Sequence, residues 1–166
     1  MNYIKITKND IANGPGVRCV LWVAGCHVRC KGCHNQSTWS FSAGQPFNMN
    51  SLNELYEVLN KPYIQGLTLS GGNPMDHIPE VLHICRTVKE RFPTKDIWLY
   101  SGYTFEQLQQ SQTAMCVLEY IDVIVDGPYI EEQRDISLQW RGSSNQRIID
   151  VKETLKQCKI ITLQND

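Results

Sequence analysis

The segment RCVLWVAGCHVRCKGCH, residues 18–34, decides both the fold and the chemistry expected of this chain. Its first part, Arg18–Val23, is nearly all apolar and rich in strand-forming residues, which predicts a strand buried on both faces. A loop follows this strand at once and carries Cys26, Cys30 and Cys33. The sequence therefore places a cluster of thiols at the carboxyl end of a buried strand.

Strands and helices alternate along the rest of the chain. Further strands are predicted at residues 66–70, 96–100, 121–125, 147–151 and 159–163. Helices are predicted from Ser51, with Glu54 completing a capping box, over residues 78–92, from Thr104 toward Tyr120 with a second box at Gln107, and between the last two strands. Such alternation indicates parallel strands joined by helical crossovers.

The length of the chain limits how many such units it contains. A closed barrel of eight units takes about 250 residues, and this chain has 166. We therefore expect an α/β fold, a partial and open β/α barrel of five to six strands that are mostly parallel, in a single domain over residues 1–166. Binding loops should gather at the carboxyl ends of the strands, where the cysteine loop and Gly71-Gly72-Asn73-Pro74 both lie.

Composition indicates an ordinary globular protein. The chain is 42% hydrophobic with a net charge of −1, which gives no general attraction to nucleic acid. No run reaches the roughly 18 apolar residues of a membrane span, and the first ten residues lack the apolar core of a signal peptide. We expect a cytoplasmic protein without nucleic-acid or membrane partners.

The seven cysteines fall into two groups. Four are scattered along the chain and are expected to act as small buried hydrophobes: Cys19, Cys85, Cys116 and Cys158. The three clustered thiols suit zinc or an iron–sulfur cluster. Zinc needs a fourth ligand, for which His27 or His34 is available. Three thiolates on a four-iron cluster leave one iron without a protein ligand, and an open position of that kind is where chemistry occurs at catalytic metal sites.

The Cys-x3-Cys-x2-Cys spacing resembles the signature of the radical S-adenosylmethionine superfamily. Other segments resemble the activating proteins of anaerobic ribonucleoside-triphosphate reductases, a family of glycyl-radical enzyme activases. These segments are Asn13–Arg18, Gly25–Asn35, Ser37–Trp39, Leu69–Pro74, Asp96–Trp98, Val125–Gly127 and Trp140–Gln146. Together they span most of the chain, from about residue 13 to residue 151.

The resemblance implies a specific reaction. In this family a 4Fe-4S cluster binds S-adenosyl-L-methionine at its free iron, and one electron cleaves the sulfonium bond to give methionine and a 5′-deoxyadenosyl radical. That radical removes a hydrogen atom from a glycine of the partner, here an anaerobic ribonucleoside-triphosphate reductase. A flavodoxin-like protein is the expected one-electron donor. No side chain is expected to act as a general acid or base.

The resemblance also implies which residues form the site. Cys26, Cys30 and Cys33 are the expected ligands of the metal. Gly32, Cys33 and His34 should lie near the adenine side of the S-adenosylmethionine. Gly71, Gly72 and Asn73 should bind the cofactor through exposed backbone carbonyls, which suit its ammonium group. Many superfamily members carry an acid where this chain has Asn73, so we expect Asn73→Asp to preserve or strengthen cofactor binding.

A few other residues are weaker candidates for the same site. Asp126, Ser101, Arg18, Arg141 and Arg147 are possible contacts to cofactor or partner, whereas Asp126 also suits a turn and arginines are common on surfaces. No functional role is expected for two histidines, His77 and His83. The turn Gly14–Gly16 is expected to line the entrance for the partner.

Two other functions remain open on the sequence alone. One is a different radical enzyme of similar size, either an activase for another glycyl-radical partner or an enzyme acting on a small molecule. The other is a zinc-binding interaction module without catalysis. Iron–sulfur absorbance after anaerobic purification separates the zinc module from the two radical enzymes.

Overall fold

Seven strands and five helices make up the computed structural model, which describes residues 1–163. The strands are β1 (Asn2–Asp10), β2 (Val17–Ala24), β3 (Gln45–Pro46), β4 (Ile64–Gly71), β5 (Asp96–Tyr100), β6 (Val123–Asp126) and β7 (Arg147–Asp150). The helices are α1 (Met49–Leu59), α2 (Ile78–Arg91), α3 (Phe105–Gln109), α4 (Gln112–Leu118) and α5 (Val151–Gln157). The tail past Leu163, included in the predicted domain of residues 1–166, lies outside the described residues.

The strands form one open mixed sheet in the order β3-β1-β2-β4-β5-β6-β7. The four central strands, β2, β4, β5 and β6, are parallel to one another. The other three, β1, β3 and β7, pair antiparallel. The α/β class and the open sheet are confirmed. The sheet has seven strands instead of five to six and is parallel in three of its six strand pairs, and the partial barrel stays a prediction. Antiparallel neighbours need no helical crossover, so helix–strand alternation does not reveal them.

Helix boundaries follow local capping, and one differs from the prediction. Helix α1 begins at Met49 because the Asn48 side chain accepts hydrogen bonds from the backbone N–H groups of Asn50 and Ser51. Ser51 is therefore inside the helix, where its hydroxyl donates to the Tyr3 hydroxyl oxygen at 3.2 Å. The predicted capping box at Thr104 and Gln107 is confirmed at the start of α3.

The last predicted strand, residues 159–163, is reduced to one isolated bridge between Ile149 and Thr162. The other predicted strands and the long helix over residues 78–92 are present, with ends shifted by at most two residues. Within residues 1–163, no helix combines the length and apolarity that crossing a bilayer requires.

The two faces of the sheet differ in what covers them. Alternate strand residues such as Leu21, Leu69 and Leu99 pack under the helices in a large apolar core. The opposite face, called the open face below, carries a small apolar cluster around Trp98 together with buried polar residues, including Arg18. No helix covers the open face within the described chain, and this leaves room there for a site.

Candidate functional site

The three clustered cysteines line one cavity at the carboxyl end of the parallel strands. They follow β2 directly, and none forms a disulfide. Cys26 is buried, whereas Cys30 and Cys33 are partly exposed. Their cavity has a volume of about 130 Å³ and is walled by the ends of β4 and β5 as well as by the cysteine loop. The three predicted ligands are thus brought together around a shared space.

The start of the cysteine loop is fixed by a second segment of the chain. The backbone N–H of Gly25 donates to the Thr38 carbonyl at 2.7 Å, and that of Cys26 donates to the Trp39 carbonyl at 3.1 Å. Gly25 has a φ of 106°, and a Cβ there would overlap the Phe41 ring. The position therefore requires glycine both for its backbone and for the close approach of the ring.

The predicted double glycine holds this loop against the neighbouring strand. Gly72 N–H donates to the Val23 carbonyl at 2.9 Å, and Asn73 N–H donates to the Gly25 carbonyl at 2.8 Å. A Cβ on Gly72 would overlap the Gly25 carbonyl oxygen. Both glycines line the cysteine cavity, but the space left by the missing side chain is filled by backbone of β2 at Gly71 and by backbone of the cysteine loop at Gly72.

The segment after the double glycine contributes two residues whose roles the sequence did not reveal. His77 is buried and donates from Nε2 to the Ala24 carbonyl at 2.7 Å. The Asp76 carboxylate accepts from the His27 backbone N–H at 2.8 Å and from the Tyr103 hydroxyl at 2.7 Å. Burial and the Asp76 carboxylate raise the pKa of Tyr103 to about 12. The position of Asp76 and His77 shortly after a parallel strand was the one sequence signal that pointed to a role for them.

A larger cavity of about 510 Å³ adjoins the first on the open face. The two share Cys33, Asn35, Ser70, Tyr100, Tyr129 and Gln146 in their walls. His34 lines the larger cavity, and its ring lies 5.4 Å from that of Tyr129. A molecule that fills the larger cavity therefore reaches the last of the three cysteines.

Gly32 is placed differently from its neighbours Cys33 and His34. It does not appear in the wall of either cavity, and its φ is 71°. A Cβ there would lie 2.7 Å from the carboxyl carbon of Glu131. The glycine at this position lets the tip of the cysteine loop pack against residues 127–146, the long segment between β6 and β7 that we call the strap.

The strap crosses the open face and contacts the cysteine loop. Lys31 lies 3.6 Å from a carboxylate oxygen of Glu131 and 3.4 Å from one of Glu132. All three side chains are largely exposed, so these pairs contribute little to stability. The strap also supplies Arg141, which lines the larger cavity and donates to the Gln146 carbonyl at 2.9 Å.

Several weaker candidates have structural partners instead. Arg18 is fully buried and donates to Thr68 Oγ1 at 2.7 Å and to Asp96 Oδ1 at 2.5 Å. Asp126 is buried too, where it accepts from the Phe105 backbone N–H at 2.7 Å and pairs with Arg147. Arg18, Asp126 and Arg147, which the sequence offered as contacts to a cofactor or partner, are therefore paired within the chain.

The two remaining candidates are Ser101 and the turn Gly14–Gly16. Ser101 is buried and lines the cysteine cavity, and its hydroxyl accepts from the Tyr103 N–H at 3.0 Å. The turn Gly14–Gly16 lies off both cavities, and the wall of the larger one includes Ala12 and Asn13 instead. The expectation for Gly14 is wrong because that residue is buried against the Arg18 side chain.

The donor set suits an iron–sulfur cluster. Three thiols border a shared space of about 130 Å³, and thiolates are the ligands that such clusters take from proteins. Burial raises the pKa of Cys30, and a positive metal centre at this thiol would act in the opposite direction by stabilising the thiolate.

Comparison with known proteins agrees with this chemistry. Residues 12–149 match the family model described as a 4Fe-4S single cluster domain. The anaerobic ribonucleoside-triphosphate reductase-activating protein of enterobacteria phage T4 is 49% identical over 150 residues, covering 89% of this chain and 93% of that protein. The chain belongs to this family of activating proteins.

Other activating proteins match over the same extent. The one from Vibrio cholerae is 48% identical over 152 residues, covering 89% of this chain and 97% of that protein. The one from Escherichia coli K12 is 43% identical over 150 residues, covering 88% and 96%. The resemblance to the reductase-activating proteins, stated from sequence motifs, is therefore confirmed over nearly the full length.

Proposed function

We propose that this chain activates an anaerobic ribonucleoside-triphosphate reductase by generating a glycyl radical on it. The observation that carries the proposal is that two cavities share Cys33 in their walls, and the smaller of them is bordered by all three clustered cysteines. When bound, a 4Fe-4S cluster supplies one electron that cleaves S-adenosylmethionine to methionine and a radical able to take a hydrogen atom from the glycine.

The residues of the chain then have separate tasks. Cys26, Cys30 and Cys33 bind the metal and leave one iron to the cofactor. Gly72 and Asn73 keep the end of β2 and the start of the cysteine loop beside the end of β4, through the backbone hydrogen bonds from Gly72 to Val23 and from Asn73 to Gly25. The larger cavity admits the cofactor and the glycine of the partner, because hydrogen-atom transfer requires near contact between the reacting atoms.

A test uses the full chain under anaerobic conditions. After reconstitution with iron and sulfide, the protein is mixed with a strong reductant, S-adenosylmethionine and the reductase. We expect 5′-deoxyadenosine by chromatography and a glycyl radical on the reductase by electron paramagnetic resonance. A flavodoxin-like donor should replace the chemical reductant. A colourless protein that holds zinc stoichiometrically would contradict the proposal.

A radical enzyme with another target is the second candidate. It shares the cysteine cavity, so the same iron–sulfur spectrum is expected of it. The names of the relatives favour the reductase as the partner. Cofactor cleavage without any radical on the reductase would favour the other target.

A further inference from the structure

The strap forms much of the wall of the larger cavity. Nine of the seventeen residues that border this cavity lie between Tyr129 and Gln146. The others belong to the turn after β1, to strands β2, β4 and β5, and to the cysteine loop. The shape of the cavity therefore depends on where the strap lies over the open face.

The strap is folded into a hairpin. Its two arms pair at the bridge between Arg134 and Ser143, and the backbone N–H of Ser144 donates to the Gln133 carbonyl at 2.9 Å. The hydroxyl of Ser143 also accepts from the Ile130 N–H at 3.2 Å. These contacts join one arm to the other, so they move with the hairpin and do not fix it to the sheet.

Gln146 joins the base of the hairpin to the end of β6. Its side-chain Oε1 accepts from the backbone N–H groups of Gly142 at 2.9 Å and Ser143 at 3.3 Å. Its Nε2 donates to the Gly127 carbonyl at 3.1 Å. Because a backbone N–H only donates and a carbonyl only accepts, these partners fix the orientation of the amide. One side chain thus connects the first residue of the strap to its returning arm.

Trp140, in the tip of the hairpin, packs on the open face. Its ring meets the buried Trp98 ring of β5 edge to face, with the centroids 5.2 Å apart. The φ of Trp140 is 57°, a left-handed conformation that is rare for a bulky residue and persists only where the surrounding contacts determine it. The contact between the two rings therefore holds a strained turn of the strap against the sheet.

We propose that Gln146 and Trp140 are positioning residues that hold the strap over the open face, so that the wall of the S-adenosylmethionine site is in place before the cofactor binds. The inference rests on the proposed function, which assigns the larger cavity to the cofactor. A site that is formed in only a fraction of the molecules binds its ligand more weakly in proportion to that fraction. Loosening either end of the strap should therefore weaken cofactor binding and leave the cysteine ligands intact.

The first test is Gln146→Ala, which removes both the acceptor and the donor of the side chain. The full chain is reconstituted anaerobically with iron and sulfide, and binding of S-adenosylmethionine is measured by equilibrium dialysis without a reductant. We expect an unchanged iron content and an affinity about fivefold lower, the effect of about one lost hydrogen bond. Unchanged affinity would overturn the proposal for Gln146.

Gln133→Ala is the matched control. Gln133 lies exposed on the other arm of the strap and borders neither cavity. Its one side-chain hydrogen bond within the described chain comes from the Ser144 hydroxyl at 3.4 Å. The same chemical change there should leave the affinity for S-adenosylmethionine unchanged. An equal loss in both variants would overturn the proposal, because any change in the strap would then weaken binding.

Trp140 is tested with a pair of variants. Trp140→Ala removes the ring that packs on Trp98, so the affinity for S-adenosylmethionine should again fall by about fivefold. Trp140→Phe keeps an aromatic ring at this contact and should recover most of the affinity. If Trp140→Phe binds the cofactor as weakly as Trp140→Ala, packing on Trp98 is not what matters and the proposal for Trp140 is wrong.

Limited proteolysis distinguishes positioning of the strap from direct contact with the cofactor. Trypsin cleaves after arginine, and Arg134 is exposed in the strap. Without S-adenosylmethionine, Gln146→Ala and Trp140→Ala should be cut there about fivefold faster than the unmodified protein, because cleavage follows the population of the displaced strap. Equal rates in all three proteins would overturn the proposal. Failure of the unmodified, iron-loaded protein to bind S-adenosylmethionine would instead contradict the proposed function.

Discussion

Cysteine side chains lie in two contrasting environments, the helix-covered core and the loop at the strand ends. Cys19 and Cys85 are fully buried in the core, and burial raises the pKa of each to about 12. Cys30 and Cys33 border a cavity and are partly exposed. A core thiol is an inert hydrophobe, whereas a loop thiol is available to a metal. The expectation of a buried thiol is confirmed for Cys19 and Cys85, but it is wrong for Cys158, which is exposed, and Cys116 is only partly buried.

The faces of the sheet differ in the same way. The helices supply apolar side chains to one face of the sheet, where these side chains form the large core. The open face buries Arg18 and Thr68 and joins them to Asp96. Because no helix covers the open face, its buried polar groups pair with one another, and space for ligands remains there.

The largest expected effect sets a loop cysteine against a core cysteine. Cys30→Ala should abolish formation of 5′-deoxyadenosine, because two thiolates do not hold the cluster. Cys85→Ala should keep cleavage near normal and lower the free energy of unfolding by about 1 kcal/mol through a small cavity. Both are measured anaerobically by chromatography and by denaturant unfolding. Near-normal cleavage by Cys30→Ala would show that the ligand assignment is wrong.

The next effect compares a glycine at the carboxyl end of the parallel strands, Gly72 after β4, with one at their amino end, Gly16 before β2. Gly72→Ala should lose most of its iron on reconstitution, because the new Cβ meets backbone of the cysteine loop rather than a movable side chain. Gly16→Asn should bind iron normally at a cost of about 1 kcal/mol in stability. Gly16 is exposed, with a φ of 70° that asparagine tolerates.

Iron and sulfide per chain are the measurements for this pair. Equal loss of iron from both glycine variants would show that the amino-end turn also shapes the metal site. That result would break the distinction between the two ends of the sheet.

A smaller effect concerns the buried charge on the open face. Asp96→Ala should lower the free energy of unfolding by about 2–3 kcal/mol, since it leaves the Arg18 guanidinium without its anionic partner. Adding Arg18→Met should cost less than the sum of the two single changes. Denaturant unfolding of the four proteins gives the coupling, and strict additivity would argue against the pair.

The smallest effect is a pH dependence at the edge of the sheet. Hydrogen bonding to Arg147 lowers the pKa of Glu106 to about 2. A depressed carboxyl pKa adds stability above the unfolded value of about 4.3, and this is lost as pH falls toward 2. The side chain is half-exposed, so the contribution should stay below about 1 kcal/mol. Glu106→Gln should remove that part of the acid dependence between pH 5 and pH 3, seen by urea unfolding; an unchanged slope would contradict it.

The parallel part of the fold was predictable because each unit has its own local signals. Apolar runs marked β2, β4 and β5, and the Thr104 capping box marked α3. Strand β1 was missed because it pairs with β2 without a helix between them. The segment expected as a strand at residues 159–163 does lie along β7, but its pairing is limited to the bridge between Ile149 and Thr162 and the two backbone hydrogen bonds beside it.

The site was predictable where spacing alone defines it. The cysteines are close in sequence, so their approach needs no knowledge of the fold. The roles of Asp76 and His77 depend on contacts with residues about 50 positions away. The Asn73 amide oxygen accepts from the backbone N–H of Gly102, which follows a different strand. Such contacts come from the packing of the sheet and leave no local pattern.

The sheet ends at β1 in a way that bears on aggregation. Strand β3 pairs only with Asn2 and Tyr3, so the outer backbone edge of β1 is open beyond them within the described chain. That edge strand carries Lys5 and Lys8, and its pairing with β2 has two irregularities. Charge and irregularity prevent another copy from adding a strand. Replacing both lysines by valine should make light scattering rise with concentration; unchanged scattering would show that the edge is protected in another way.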